Sequence, residues 1–187
     1  MWKKTVIYFL VRKWEKVLFC VEISNPKPNS LTMTGFLGEY EATLDAKGRF
    51  LLPAGFRKQL PETAGNQFVI NRGFEKCLTL YPMTAWQPIF EKISHLNDFD
   101  PKVREFRRYF LNGATVVELD SAGRLLIPKN LATHGGLDKD IVLAAAMDKI
   151  EIWDKQAYQQ FFESYSPETF SELDRQVMAG EGLPPAP

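Results

Sequence analysis

The chain repeats one ten-residue segment at a constant offset of 75 residues, and this repeat limits its possible folds more than any other feature. Residues 44–53 read LDAKGRFLLP, and residues 119–128 read LDSAGRLLIP. The correspondence continues downstream, because residues 68–70 resemble residues 141–143 at nearly the same spacing. Similar segments fold alike, so the chain is predicted to consist of two copies of one small, β-rich module.

Hydrophobic patterning predicts the same strands in both copies. Apolar and polar residues alternate over residues 40–44, which is typical of a strand with one buried face, and residues 115–119 are the counterpart of this strand in the second copy. Residues 50–52 and 125–127 are continuous apolar runs, which predict strands covered on both faces. A proline ends each run because it cannot donate to the ladder, and a short helix is expected to follow.

Capping residues predict the longer helices that follow each module. Thr84 and Asp154 can accept hydrogen bonds from the first amides of a helix. Asp100 and Ser166 are each followed by proline, which is favoured at the first helical position. The expected helices run over about 84–95, 100–111, 154–165 and 166–180.

The first 32 residues differ in charge from the rest of the chain. They carry six Lys or Arg and two Glu, so their net charge is +4 and the remainder has −4. Their apolar run at 6–11 is too short for a membrane span and short even for a signal peptide. We interpret them as an extension from an upstream start, with Met33 as the natural start; a genuine appendage is the alternative.

The expected organisation has five parts. They are an N-terminal extension, non-native or disordered, at 1–32, a first module at 33–83, connecting helices at 84–112, a second module at 113–156, and C-terminal helices with a disordered tail at 157–187.

Composition argues against several classes of function. The formal net charge is zero, so the surface is not uniformly basic, and any DNA contact must come from locally concentrated charge. Cys20 and Cys77 are far apart, and His95 and His134 are isolated, so no metal-binding spacing exists. Phosphate-binding loops and nucleophile motifs are also absent from the sequence. We therefore expect no enzyme activity, cofactor, metal or small-molecule substrate, and a reducing cytoplasm.

Each copy contains a tight turn with the same chemistry. Residues 45–48 and 120–123 begin with Asp and end with Gly, as in a type I turn closed by a glycine bulge. The Asp carboxylate can accept a hydrogen bond from the backbone two residues later, which fixes the bend.

Arg49 and Arg124 follow these turns directly, and the residues alone leave two interpretations open. A guanidinium held by a rigid turn can bind a phosphate, or the O6/N7 edge of guanine, with two hydrogen bonds. Alternatively, each arginine pairs with the Asp four positions earlier and only stabilises the hairpin.

The sequence around both turns resembles the MraZ family. The resemblance rests on GFLGEYEATLDAKGR at residues 35–49, on the following Pro53 and Phe56-Arg57, and on the second Asp120-x-x-x-Arg124 motif. It covers about residues 33–180, whereas residues 1–32 have no counterpart.

The resemblance implies an α+β fold in which tandem AbrB-like (SpoVT-AbrB) swapped-hairpin β modules form a small barrel-like core, each followed by helices. It further implies a transcriptional regulator that binds direct repeats of double-stranded DNA in the promoter of the division and cell-wall gene cluster. Such a protein would be a homo-oligomer, in the form of a ring, located in the cytoplasm and at the nucleoid, without a membrane partner.

The same resemblance assigns roles to the turn residues. Arg49, Lys47 and Arg124 would contact DNA, and we give Arg49 more weight because Ala122 replaces the first turn's lysine. The turns themselves would be shaped by Asp45, Gly48, Asp120 and Gly123.

Two other functions were weighed. An antitoxin-like protein of the AbrB family would use the same module to bind a partner protein and its own promoter. An enzyme using Asp45 or Asp120 as acid or base is disfavoured, because no second convergent group is evident. The cluster of Arg104, Arg107 and Arg108 is expected to form a solvated or subunit-pairing face.

Overall fold

The structure is a computed structural model that describes residues 35–180; the expectations for residues 1–32 and for the tail at 181–187 lie outside this range. Both copies contain the same order of four strands and three helices, to which the first copy adds a 3-10 turn, and the predicted α+β fold is confirmed. The first copy comprises β1 (Glu39–Thr43), β2 (Arg49–Leu51), α1 (Ala54–Gln59), a 3-10 turn (Glu62–Ala64), β3 (Gln67–Arg72), β4 (Leu78–Pro82), α2 (Met83–Ser94) and α3 (Pro101–Phe110). The second comprises β5 (Thr115–Glu118), β6 (Arg124–Leu126), α4 (Lys129–Gly135), β7 (Asp140–Ala146), β8 (Lys149–Asp154), α5 (Lys155–Glu163) and α6 (Pro167–Gly180).

The two copies share one antiparallel sheet with the strand order β1-β7-β8-β4-β3-β5. The first strand of each copy pairs with the hairpin of the other copy: Tyr40 lies opposite Leu143, and Val117 lies opposite Phe68. The order reads the same when the copies are exchanged, so the sheet has an approximate two-fold arrangement. Neither copy completes this sheet by itself.

The barrel-like core expected from the family resemblance is not found among the described residues. The six-stranded sheet is open and has β1 and β5 at its edges, and β2 and β6 form a separate two-stranded ribbon. The ribbon lies over the sheet core through Phe50 and Leu125, which are almost completely buried.

Both copies supply the hydrophobic core. In the first copy, the Phe56 ring meets the Tyr40 ring edge-on at 4.7 Å between centroids. The buried core side chains are Phe36, Phe50, Leu52, Phe56, Phe68, Ile70, Leu78 and Leu80 from the first copy, and Leu125, Ile127, Leu131, Ile141, Leu143, Ile150 and Ile152 from the second.

The predicted double coverage of residues 50–52 and 125–127 is wrong at their central positions. Leu51 is 53% exposed and Leu126 is 50% exposed. A two-stranded ribbon on the surface has only one face against the core, so alternate side chains point outward. Leu52 and Ile127 are buried, as the apolar runs predicted.

The helix caps follow the sequence prediction at three of four positions. Ser166 Oγ accepts from Thr169 N at 3.2 Å at the start of α6. Asp100 accepts from Lys102 N at 2.8 Å, and Asp154 accepts from Gln156 N at 3.0 Å. Thr84, however, does not cap α2, which begins at Met83 after Pro82 and has no side-chain cap. On α2, Trp86 is buried, and its ring stacks on Phe110 at 5.9 Å between centroids.

Arg104 and Arg107 hold the loop between α2 and α3, so these two residues are only partly solvated, and subunit pairing through this face stays a prediction. Arg107 Nη2 donates to the carbonyl oxygens of Ile93 at 2.9 Å and Leu96 at 3.0 Å, and Arg107 also pairs with Asp98. Arg104 Nη1 donates to the Asp98 carbonyl. Their charge is used within the fold, whereas Arg108 is exposed.

Candidate nucleic-acid interface

The first turn is built around the carboxylate of Asp45. Its Oδ1 accepts from the backbone amides of Lys47 and Arg49, both at 2.9 Å. Gly48 N donates to the Asp45 carbonyl at 2.9 Å, and Gly48 has a φ of 77°, which favours glycine. The carboxylate therefore fixes the backbone from which Arg49 emerges.

The second turn reproduces this geometry. Asp120 Oδ1 accepts from the amides of Ala122 and Arg124, both at 2.9 Å. Gly123 N donates to the Asp120 carbonyl at 2.8 Å, and Gly123 has a φ of 76°. The main sequence difference between the turns is Ala122 in place of Lys47.

Each arginine folds back onto the Asp of its own turn, which is the second of the two interpretations that the sequence left open. Arg49 donates to Asp45 Oδ2 from Nε at 2.8 Å and from Nη2 at 2.6 Å. Arg124 does the same to Asp120 at 2.9 and 2.8 Å. An arginine side chain held only by the turn backbone and aimed freely outward, as the DNA-binding interpretation pictured it, is therefore not observed.

The pairing nevertheless leaves both arginines accessible. The Arg49 side chain is 28% exposed and the Arg124 side chain is 38% exposed. Within residues 35–180, Nη1 of neither arginine donates a hydrogen bond. The carboxylate accepts from Nε and from one N–H of Nη2, so both N–H groups of Nη1 and the second N–H of Nη2 stay available for a further partner.

Hydrogen bonds from the arginines lower the pKa of both turn carboxylates. The hydrogen bond from the Arg49 side chain, followed by the one from its backbone amide, lowers the pKa of Asp45 from 3.8 to about 2. The backbone amide of Arg124, followed by its side chain, lowers the pKa of Asp120. The pKa of each carboxyl is thus further from neutral pH than that of a free Asp, whereas a general acid or base works best with a pKa near the operating pH.

Asp45→Asn is expected to make the chain less stable at pH 5 and above, because the amide keeps the turn acceptor but loses the charge that holds Arg49. Since the folded pKa lies below the unfolded value, the wild-type advantage is present above about pH 4 and disappears as the pH falls towards 2. The urea midpoints of both proteins over pH 2–7 measure this. A midpoint difference that does not change with pH would contradict it.

The β2–β6 ribbon brings the two turns to one surface. Arg49 lies opposite Leu126, and Leu51 lies opposite Arg124. Directly opposite residues share a face, so these four side chains form the exposed face of the ribbon, which we call the ribbon face. Diagonal neighbours such as the two arginines are separated by about 7–8 Å on such a face.

Three residues of this surface were missed by the sequence analysis as site residues. Leu51 and Leu126 were expected to be covered, and Arg57 was noted only as part of the family resemblance. Arg57 Nη1 lies 3.0 Å from the position that a Cβ would take at Gly123. The signal that would have revealed these residues is the pairing of β2 with β6, which local sequence patterns do not encode.

Residues 35–180 contain no cluster of His, Cys, Asp or Glu that could hold a metal ion. None of the helices in that range is long and apolar enough to cross a membrane. Cys77 is buried, and burial raises the pKa of its thiol to about 12, so the thiol is not a nucleophile at neutral pH.

Comparison with known proteins gives consistent matches. Residues 36–109 and 110–178 each match the family model described as "MraZ protein, putative antitoxin-like". The chain is similar to a protein named transcriptional regulator MraZ from Cytophaga hutchinsonii, with 44% identity over 77% of this chain and 95% of the relative. A protein of the same name from Christiangramia forsetii is 42% identical over 80% of this chain and 96% of its own length. Another, from Lachnoclostridium phytofermentans, is 44% identical over 66% and 84%, respectively.

Proposed function

The chain belongs to the MraZ family, and because its relatives are named transcriptional regulators, we propose that it regulates transcription by binding double-stranded DNA with the ribbon face. The family is one of regulators, not of enzymes. The observation that carries the proposal is the pair of accessible arginines, each held by the Asp of a rigid turn on one exposed two-stranded ribbon.

The dimensions of the ribbon suit the major groove. That groove is about 12 Å wide and admits a two-stranded β-ribbon. Each arginine would present the free end of its guanidinium to the O6 and N7 atoms of guanine or to a phosphate. The exposed methyl groups of Leu51 and Leu126 would contact the methyl groups of thymines next to the arginine contacts.

The Asp–Arg pairs support this proposal instead of opposing it. Fixing a long side chain before binding reduces the conformational entropy lost on binding. The acceptor on one side also limits the guanidinium to one orientation, which favours selective recognition. A buried pair would have had no such role, but these side chains are about one-third exposed.

The finer parts of the proposal follow the family resemblance. We propose that the operator is a set of direct repeats in the promoter of the division and cell-wall gene cluster, and that the chain acts in the cytoplasm at the nucleoid as a ring-shaped homo-oligomer. Several linked ribbons meeting successive repeats would raise avidity without new contacts. The exchange of β1 and β5 between the copies supports an AbrB-like swapped-hairpin arrangement for the modules.

A footprint on the DNA upstream of the chain's own gene tests the proposal. Purified protein is expected to protect regularly spaced short segments there and to leave a shuffled duplex of equal composition unprotected. Protection should weaken steeply between 50 and 200 mM salt, because phosphate contacts release counterions. Equal protection of both duplexes, or of neither, would contradict sequence-specific regulation.

The antitoxin-like alternative keeps one supporting observation besides the family description. Helix α6 exposes apolar side chains, including Phe170 at 62% and Val177 at 58%. Exposed apolar side chains of this size are typical of a surface for a partner protein. Under this alternative, a protein encoded beside this gene would copurify with the chain, and deletion of α6 would abolish this copurification. The same deletion would leave the DNA footprint unchanged.

A further inference from the structure

The second turn has one cation fewer than the first in the sequence, and in the structure a residue from outside the turn supplies a cation there. Lys47 in the first turn corresponds to Ala122 in the second. We infer that Arg57, which the first copy supplies from α1, is a phosphate-contacting residue of the second turn and replaces the missing lysine there. This inference rests on the proposed function and adds a residue to its site.

The antiparallel ribbon explains how Arg57 reaches the other copy's turn. Strand β2 ends where β6 begins, and Leu52 N donates to the Gly123 carbonyl at 3.0 Å. Helix α1 starts two residues later, and Arg57 lies in its last turn, where its amide donates to the Pro53 carbonyl at 3.1 Å.

Gly123 leaves room for the guanidinium of Arg57. A Cβ at Gly123 would lie 3.0 Å from Arg57 Nη1 and 3.7 Å from Arg57 Cζ. The same construction at Gly48 meets only the Ile127 carbonyl, at 3.5 Å. The close approach of a cation is therefore specific to the second turn.

The charge of Arg57 is available for a ligand. Its side chain is exposed, and within residues 35–180 its guanidinium makes no hydrogen bond or ion pair. Arg49 and Arg124 are each paired with a carboxylate, so the uncompensated charge comes from Lys47 at the first turn and from Arg57 at the second. Asp138 and Lys139, which line the groove beside the first turn, carry opposite charges.

The equivalent position in the second copy explains why the first turn needs its own lysine. By the repeat offset, Arg57 corresponds to Ala132 in α4, which has no charge to offer. The first copy therefore provides the uncompensated cation of both turns, one through its turn and one through its helix. The second turn site consequently consists of residues from both copies.

The salt dependence of DNA binding tests this inference. With the upstream duplex as probe, Arg57→Ala is expected to reduce the slope of log K against log salt by about 0.9 for each protomer engaged. The weakening should be similar on the shuffled duplex, because a phosphate contact does not select bases. Adding Ala122→Lys to Arg57→Ala is expected to restore the slope, since it places a cation where the first turn has Lys47.

Lys58→Ala provides the matched control, because Lys58 is the adjacent exposed cation on α1. It should leave the slope near that of the wild type; an equal loss would show a general charge effect and overturn the inference. If Arg49→Ala loses binding while Arg57→Ala keeps the wild-type affinity and slope, the inference fails and the proposed function stands. A wild-type chain that binds neither duplex overturns both.

Discussion

Arg49→Ala is expected to weaken binding to the upstream duplex by roughly 5- to 150-fold, which corresponds to the 1–3 kcal/mol that one bidentate arginine–base contact contributes. Arg49 is accessible and lies on the ribbon face, so its loss removes a DNA contact without opening the core. Combined with Arg124→Ala, the loss of specific binding should be nearly complete. Fluorescence anisotropy with the upstream and shuffled duplexes measures both effects.

Two further variants make this result specific. Arg49→Lys keeps the charge but cannot form two parallel hydrogen bonds, so it should retain binding to the shuffled duplex and lose discrimination. Lys92→Ala removes an exposed charge on α2, away from the ribbon, and should bind like the wild type. The circular dichroism spectrum should stay unchanged throughout. Wild-type discrimination in the Arg49→Ala, Arg124→Ala double variant would remove the arginines from the site.

The two halves of the chain are expected not to fold as separate monomers. When residues 33–112 are produced alone, β1 loses β7 and the core loses seven buried side chains of the second copy. Each contributes about 1.5–3 kcal/mol by burial, so their combined loss is as large as the 5–15 kcal/mol stability of a typical domain. Residues 113–187 lose β3 and β4 in the same way.

Urea titration and size-exclusion chromatography test this interdependence. Each half should lack a cooperative transition as a monomer, and mixing the halves in equal amounts should restore the transition and the native spectrum. Because the strand order has approximate two-fold symmetry, two copies of one half could rebuild a similar sheet, so any folded half should elute as a dimer. A folded, monomeric half with a cooperative transition would contradict the shared core.

The sequence predicted those features that depend on neighbouring residues. The caps at Asp100 and Asp154 and the turn hydrogen bonds of Asp45 and Asp120 join groups only two to four residues apart. Alternation over residues 40–44 correctly predicted a half-buried strand, because period two follows directly from strand geometry.

The features that depend on the other copy could not be predicted. The exposure of Leu51 follows from the pairing of β2 with β6, and this pairing joins segments 75 residues apart. Arg57 reaches the second turn for the same reason. The sequence could not decide whether Arg49 pairs with Asp45 or points outward to an external partner. Both arrangements have the same local sequence and differ only in side-chain torsions.

The approximate two-fold symmetry of the ribbon also has a consequence for orientation. A DNA-binding ribbon with exact two-fold symmetry would bind a palindrome and could not distinguish the two directions along a duplex. Here the cation lies within the turn at Lys47 but on a neighbouring helix at Arg57, so the ends of the ribbon are not interchangeable. A chain built in this way would carry polarity, and copies placed along a tandem array of sites would all point the same way.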